Sequence, residues 1–289
     1  MDLNPGGLLP TVDPMETDSR NGDFVFAVSA ERFYSALLRF AHPDTGADDE
    51  ATLGGTFLYA GELDEEGRAL LVAANVLGAA TLCVTADPSA QRRAVRDGVA
   101  DFLVTTLDEA LRILKNQLRK HEPASVCIAA RRQTIEREME ERGVQPDLVA
   151  YGLSGLARFP AAFQARARHV EHSGPTPDHS VVTWTAEASA PKWLPKLDAL
   201  ALNCLNPETH PAEWAARRWL RYAPRYFGRL AQDRRIVSCN TEAARKIFKS
   251  VQAAVENGKI GVPIWISMSS PAGTQSAHAK PPAEFGITG

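Results

Sequence analysis

The stretch TFLYAGELDEEGRALLVAANVLGAATLCVTADP, Thr56–Pro88, decides the fold. Thr56–Ala60 is a short apolar run, Gly67–Leu77 carries apolar residues at helical spacing, and Ala80–Ala86 is a second apolar run. Neither run alternates with polar residues, as strands covered on both faces require. A helix joining two such strands through short loops is the crossover of a parallel sheet. The pattern continues with a helix over Ser89–Arg96, a strand at Phe102–Val104 and a helix over Leu107–Lys120. That helix shows Leu107, Leu111, Leu114 and Leu118 on one stripe, and Thr106 with Glu109 makes a capping box at its start. Val126–Ala129, then Thr134–Arg142 stopped by Gly143, then Leu148–Ala150 complete the series as strand, helix and strand. The region from about residue 50 to 155 is therefore read as α/β, a doubly wound parallel sheet with helices on both faces.

Outside it the signals thin. Residues 1–22 are rich in Pro, Gly and Asp and read as a disordered arm, and Ser269–Gly289 reads as a disordered tail. Glu31–Phe40 reads as a helix. Beyond residue 155, Val181–Thr185 and Ala199–Leu202 are strand candidates, and Pro211–Leu230 is a helix that Pro224 must bend or break. Arg235–Cys239 reads as a strand, Thr241–Glu256 as a helix stopped at Gly258, and Val262–Met268 as a last strand. The expected division is 1–22, 23–155, 156–268 and 269–289, the third being a smaller C-terminal α/β portion.

The 289 residues suffice for a sizeable core, and 44% hydrophobic with 23% charged residues is ordinary for a globular protein. A net charge of −3 gives no general attraction to nucleic acid or anionic lipid. No apolar run reaches membrane-spanning length, and the first residues lack the pattern of a secretion signal, so cytoplasmic residence is expected. Cys83, Cys127, Cys204 and Cys239 form no CxxC pair, and Cys83 and Cys127 sit in apolar runs as core residues do.

The segments TFLYAG, ATLCVTADP, DFLVTTLDEAL, SVCIAA and RGVQPDLV, and then Arg235–Pro263, resemble in order and spacing segments of the urocanase (urocanate hydratase) family. About two thirds of the chain takes part. Urocanase is much longer, and counterparts of its N-terminal portion and of most of the stretch between Leu153 and about Val181 are not recognised. The resemblance implies a Rossmann-like NAD-binding domain, NAD as the family cofactor, a carbon–oxygen lyase reaction in histidine catabolism, and a dimer or another protein partner.

The positions that should carry that chemistry differ from the family's. Its glycine-rich pyrophosphate loop, Leu-Gly-Gly-Met-Gly-Gly-Ala-Gln, is here Gly61-Glu62-Leu63-Asp64-Glu65-Glu66-Gly67-Arg68, with only Gly61 and Gly67 matching. The carboxylate that holds a ribose at the end of the second strand is replaced by Thr85, and Asp87 reads as a turn or cap residue. The family's Gly-Asn-Ala is Ala130-Arg131-Arg132, arginines that either bind an anion or pair with the acidic loop. Of Thr-Asp-Gln-Thr-Ser-Ala-His-Asp only Ser154 remains, and the functional Cys falls on Val237, two residues from Cys239.

Three readings follow. The first is a urocanase-like pseudoenzyme with a binding or regulatory role, no catalytic residue and no NAD. The second is a divergent hydratase or lyase with a pocket near Gly61, Thr85, Arg131 and Ser154, where Gly61, Glu62, Gly67, Thr85, Arg131 and Ser154 are the degenerate cofactor positions. The third is an anion- or nucleic-acid-binding module using Arg217, Arg218, Arg221, Arg225, Arg229, Arg234 and Arg235 with their interleaved aromatics. Against the third stands an amphipathic helix with its aromatics inward. His169 and His172, near Glu171, read as surface residues; no metal is expected.

Overall fold

The computed structural model describes residues 14–43, 51–150, 161–170, 178–207, 213–270 and 273–282. The chain opens with α1 (Pro14–Leu37), a 3-10 turn, and a small pair of strands, β1 (His42–Pro43) and β2 (Ala51–Thr52). Then follow β3 (Phe57–Glu62), α2 (Glu65–Leu77), β4 (Ala80–Val84), α3 (Pro88–Arg96), β5 (Phe102–Val104), α4 (Leu107–Lys120) and β6 (Ala124–Ile128). Next come α5 (Arg132–Glu141), β7 (Leu148–Ala150), α6 (Ala161–Arg166) and β8 (Arg168–Val170). The C-terminal part holds β9 (His179–Ala186), α7 (Ala190–Cys204), α8 (Glu213–Tyr226), β10 (Arg234–Asn240), α9 (Thr241–Glu256), β11 (Ile264–Ser270) and β12 (Gly273–Ala279).

Six strands form the expected parallel sheet, in the order β5-β6-β4-β3-β7-β8. Helices α2 and α3 pack on one face and α4, α5 and α6 on the other, so the sheet is doubly wound. Strands β3, β4 and β6 are buried along nearly their whole length, which explains their unbroken apolar runs. Cys83 and Cys127 are register partners on β4 and β6, fully buried and unbridged, as core residues.

The second sheet is antiparallel, in the order β10-β9-β11-β12. In β9, Ser180, Val182, Trp184 and Ala186 are buried while their neighbours are half-buried, the period of a sheet with one well-covered face. Helices α7 and α9 pack together against this sheet. Helices α1 and α8 lie between the two sheets: both touch α2 on one side and β10 on the other. Phe26, Tyr34, Trp219 and Phe227 interlock there, with Tyr34 and Trp219 ring centroids 4.9 Å apart and Trp219 and Phe227 5.7 Å apart. Trp219 Nε1 donates to the Ile236 carbonyl at 2.8 Å. One apolar cluster thus runs from the α2 face of the parallel sheet through α1 and α8 to the antiparallel sheet.

Several expectations are corrected. Residues 14–22 belong to α1 rather than to a disordered arm, and 1–13 lie outside the described residues. Ala199–Leu202 is not a strand but part of α7, where Leu194, Leu197 and Ala201 are buried at helical spacing. The tail is not all irregular: β11 runs to Ser270 and β12 pairs with it along Gly273–Ala279, while 283–289 lie outside the described residues. Pro224 sits within the last turn of α8 and does not divide it. Among the described residues, no helix is long and apolar enough to cross a membrane.

Candidate functional site

Doubly wound sheets bind ligands beyond the carboxyl ends of their strands, where neighbouring strands lead to helices on opposite faces. Here β3 and its neighbour β7 do so, and β4 and its neighbour β6 do so as well. The residues singled out in the sequence gather at this edge. Gly61 and Glu62 end β3, Thr85 follows β4, and Arg131 and Arg132 follow β6. Ser154 lies outside the described residues.

At the end of β3 the strand is irregular: the register with β4 slips between Tyr59 and Gly61, and Gly61 has φ +74°. A left-handed backbone there favours glycine. The chain then crosses the end of β4, with Leu63 N–H on the Val84 carbonyl at 2.9 Å and its side chain buried. Asp64 caps α2, its carboxylate accepting from Gly67 N–H at 2.8 Å. Gly67 itself has no room for a side chain: a Cβ would stand 2.2 Å from the Glu62 carbonyl oxygen.

In a dinucleotide fold the first N–H groups of this helix face the pyrophosphate. Here an aspartate of the chain already occupies the helix start, and Glu65 and Glu66 stand beside it in the first turn. Glu65 pairs with Arg68 at 3.2 Å and with Arg93 at 3.4 Å, and Arg68 also holds Asp97 at 3.0 Å. A phosphate at about 4 Å from one of these carboxylates would meet roughly 4 kcal/mol of repulsion at an effective dielectric constant of about 20. Arg68 and Arg93 offset part of that, but both already serve carboxylates. The residues present do not fit a pyrophosphate.

The ribose position tells the same story. Thr85 is buried; its amide donates to Ile128 O at 3.1 Å, its hydroxyl accepts from Asp87 N–H at 3.2 Å, and its carbonyl accepts from Gln91 Nε2 at 2.9 Å. Asp87 is the N-cap of α3, accepting from Ser89 and Ala90 amides at 2.8 and 3.2 Å. Hydrogen bonds from the Ser89 side chain and amide hold its carboxyl below the usual range. Its cap role matches the sequence reading.

The two arginines differ. Arg132 Nε binds Glu136 of its own helix at 2.7 Å, and the charge of Glu62 in the acidic loop also acts on it. The Tyr59 hydroxyl donates to the same Glu136 oxygen at 3.1 Å, and burial followed by the Glu136 charge pushes the phenol well above its ordinary pKa. Arg131 is exposed and has no side-chain partner among the described residues. Glu65 finds its cations on α2 and α3 instead.

Val237 is fully buried on β10, and Cys239 lines a cavity of ≈ 40 Å³ with Glu31, Tyr34, His179, Glu213 and Asn240. Glu213 is buried, accepting from the Asn206 amide and the Asn240 side chain. Burial, and then the Glu213 charge, push the Cys239 thiol far up, which favours its protonated form. Sequence reasoning missed this group because Glu31, Glu213 and His179 lie on three elements distant in the chain.

Part of the arginine-rich segment is committed inside the protein. Arg217 caps α7 through the Leu202 and Leu205 carbonyls at 2.8 and 3.0 Å, and Arg218 Nε reaches Val76 O at 2.8 Å. Arg235 binds Asp198 at 3.0 Å. Trp219, Tyr226 and Phe227 are buried, while Tyr222, Arg221, Arg225 and Arg229 are exposed. His169 lies on β8 and His172 outside the described residues, and no cluster of three or more potential ligands for a metal occurs among the described residues. Residues 34–154, which span the parallel sheet from the end of α1 through β7, match the family model of the urocanase Rossmann-like domain. Over these residues the chain resembles the Rossmann-like domain of urocanase.

Proposed function

We propose that the chain is a urocanase-like protein without urocanate hydratase activity, a pseudoenzyme that keeps the family scaffold for binding or regulation. The observation that carries this reading is the Asp64 carboxylate seated on the Gly67 amide at the start of α2, the place a cofactor pyrophosphate takes in a dinucleotide fold. Three further features support it. Thr85 has no carboxylate for a ribose, and its polar groups are used internally. Val237 stands where the family has its functional Cys, and burial favours the protonated form of the nearby Cys239 thiol. The stretch after Leu148–Ala150 lacks the family's His and Asp residues, leaving no evident proton-transfer group in that motif.

The test is an acid extract of purified protein assayed for NAD⁺, together with thermal unfolding in the presence of NAD⁺ and of urocanate. No nucleotide in the extract and no rise in melting temperature are expected. A stoichiometric nucleotide, or a rise that grows with ligand concentration, would return the hydratase reading.

A further inference from the structure

The second cavity of note lies away from the parallel sheet, between α1, α8 and the face of the antiparallel sheet turned toward them. Its volume is ≈ 70 Å³, the space of a few water molecules and well below the roughly 300–1,000 Å³ of drug-sized sites. Leu220, Ala223 and Phe227 of the α8 region, Ala27 of α1 and Ile236 of β10 give it apolar walls. Ala27 and Ala223 leave the space open because each is small where its helix faces the sheet.

One end is polar. The register Arg234↔Thr185 and Ile236↔Thr183 sets these side chains on one face of the sheet, and Thr183, Thr185 and Arg234 all line the cavity. Thr183 Oγ1 is taken up with Ser267 Oγ at 2.6 Å. Arg234 engages only its Nε, with Asp233 at 3.2 Å, and that carboxylate is 48% exposed, so the pair is weak. The two terminal nitrogens of Arg234 and the hydroxyl of Thr185 have no partner among the described residues. Arg235, which also reaches the cavity, is spent on Asp198 and on the Ala231 and Arg234 carbonyls. No carboxylate is among the described residues that line the cavity.

A small, partly open apolar chamber with one uncommitted guanidinium fork and one free hydroxyl at its end selects a ligand with a short apolar body and a single planar anionic head. We propose that this cavity binds a small amphipathic carboxylate. The two terminal nitrogens of Arg234 take the two carboxylate oxygens side by side, the geometry a guanidinium favours. Thr185 donates a further hydrogen bond, and the chain or ring of the ligand packs on Leu220, Ala223 and Phe227. One available cation suits a monoanion better than a phosphate ester.

Calorimetric titration of the full chain with butyrate, butan-1-ol and formate tests this. Butyrate is expected to bind saturably at one site, butan-1-ol at least about tenfold more weakly, and formate not detectably at the same concentrations. Arg234→Gln should bring butyrate down to the level of the alcohol, and Arg234→Lys should restore part of the difference. Thr185→Val, an isosteric change at a half-buried position, should weaken butyrate while leaving butan-1-ol unchanged, and it serves if Arg234→Gln does not fold. Absence of saturable butyrate binding overturns the proposal. So do equal binding of acid and alcohol, formate binding as tightly as butyrate, and unchanged butyrate binding in both Arg234→Gln and Thr185→Val.

Discussion

Replacing Gly67 by alanine tests what this residue is for. In an unencumbered helix the change would stabilise by about 1 kcal/mol, because alanine has less backbone freedom to lose. Here the new Cβ would stand 2.2 Å from the Glu62 carbonyl oxygen. Comfortable contacts between heavy atoms lie near 3.5 Å, so helix and strand must part by more than 1 Å. The obstacle is backbone on an ordered strand end, with no side chain to swing aside. Overpacking costs roughly 1–3 kcal/mol; a contact this deep belongs at the upper end, which leaves a net loss of about 2 kcal/mol. At about 2–4 °C per kcal/mol, the melting temperature should fall by about 4–8 °C. Urea and thermal denaturation followed by circular dichroism measure it, with Asp64→Ala as reference. That change removes only the cap on Gly67 N–H and should cost about 1 kcal/mol. A Gly67→Ala protein as stable as the parent, or more so, would refute the claim that α2 is pinned against the end of β3.

Further outcomes follow from the same coordinates. Trp219→Phe removes the donor to the Ile236 carbonyl at 2.8 Å and part of a buried ring between the two sheets. It should cost about 2–4 kcal/mol in denaturant unfolding and destabilise both sheets in one transition. Ser125→Ala strips a buried hydroxyl from Asn75 Oδ1 at 2.6 Å and from Thr81 Oγ1 at 3.1 Å. A loss of about 1–3 kcal/mol is expected, and hydrogen exchange should quicken along β4 and β6. Burial, set against hydrogen bonds from Ser35 and Ser238, raises the Glu31 carboxyl above its usual range. The folded state therefore holds this proton more tightly than the unfolded state. Its contribution is fully present below the unfolded pKa of about 4.5 and is lost as pH rises through the folded value. Glu31→Gln should flatten that decline, so that its stability relative to the parent increases from acid toward neutral pH; a constant difference across the range would contradict the assignment.

What the sequence revealed depended on how much information each element keeps to itself. The helices Leu107–Lys120 and Thr241–Glu256 coincide with their sequence readings, because each carries a strong apolar stripe and a capping side chain, Thr106 or Asn240. The short run Ala199–Leu202 reads equally well as a strand or as a turn of helix, and Pro195 concealed the helix that α7 forms around it. The edge strand β12 is polar and exposed on most positions, so only its ladder with β11 defines it. The N-terminal half of α1 has no stripe of its own to show. At the candidate site, the cap role of Asp87 was legible because it depends on residues two or three places away, whereas Asp64, read only as part of an acidic loop, caps a helix that starts two residues earlier than expected. The partners of Arg131 and Arg132 were not, since the expected pairing with the acidic loop rested on which strand ends are neighbours. Arg132 pairs with Glu136, one turn along its own helix, while the charge of Glu62 in the loop also acts on it.

The two glycines kept from the family loop explain how such a site can lose its ligand and keep its shape. A glycine at a dinucleotide loop answers to two separate physical demands: the approach of a phosphate to the backbone, and the approach of the helix to the strand that feeds it. Gly61 supplies a left-handed turn at the end of β3, and Gly67 lets α2 lie against the Glu62 carbonyl. Both of these roles come from the chain's own turn and packing, and neither needs a bound phosphate. On the reading proposed above, the remaining loop positions have no ligand to answer to; the vacant amides at the helix start still call for an acceptor, and an aspartate at the N-cap meets that need at about 1 kcal/mol of gain. The acidic first turn is then a stable solution for a helix without a cofactor: the dipole that would have held pyrophosphate now holds Asp64, Glu65 and Glu66. Restoring a nucleotide site would therefore require removing a cap that the fold now uses, and glycine or neutral residues at these three positions should weaken α2 before they bring back any affinity for a dinucleotide.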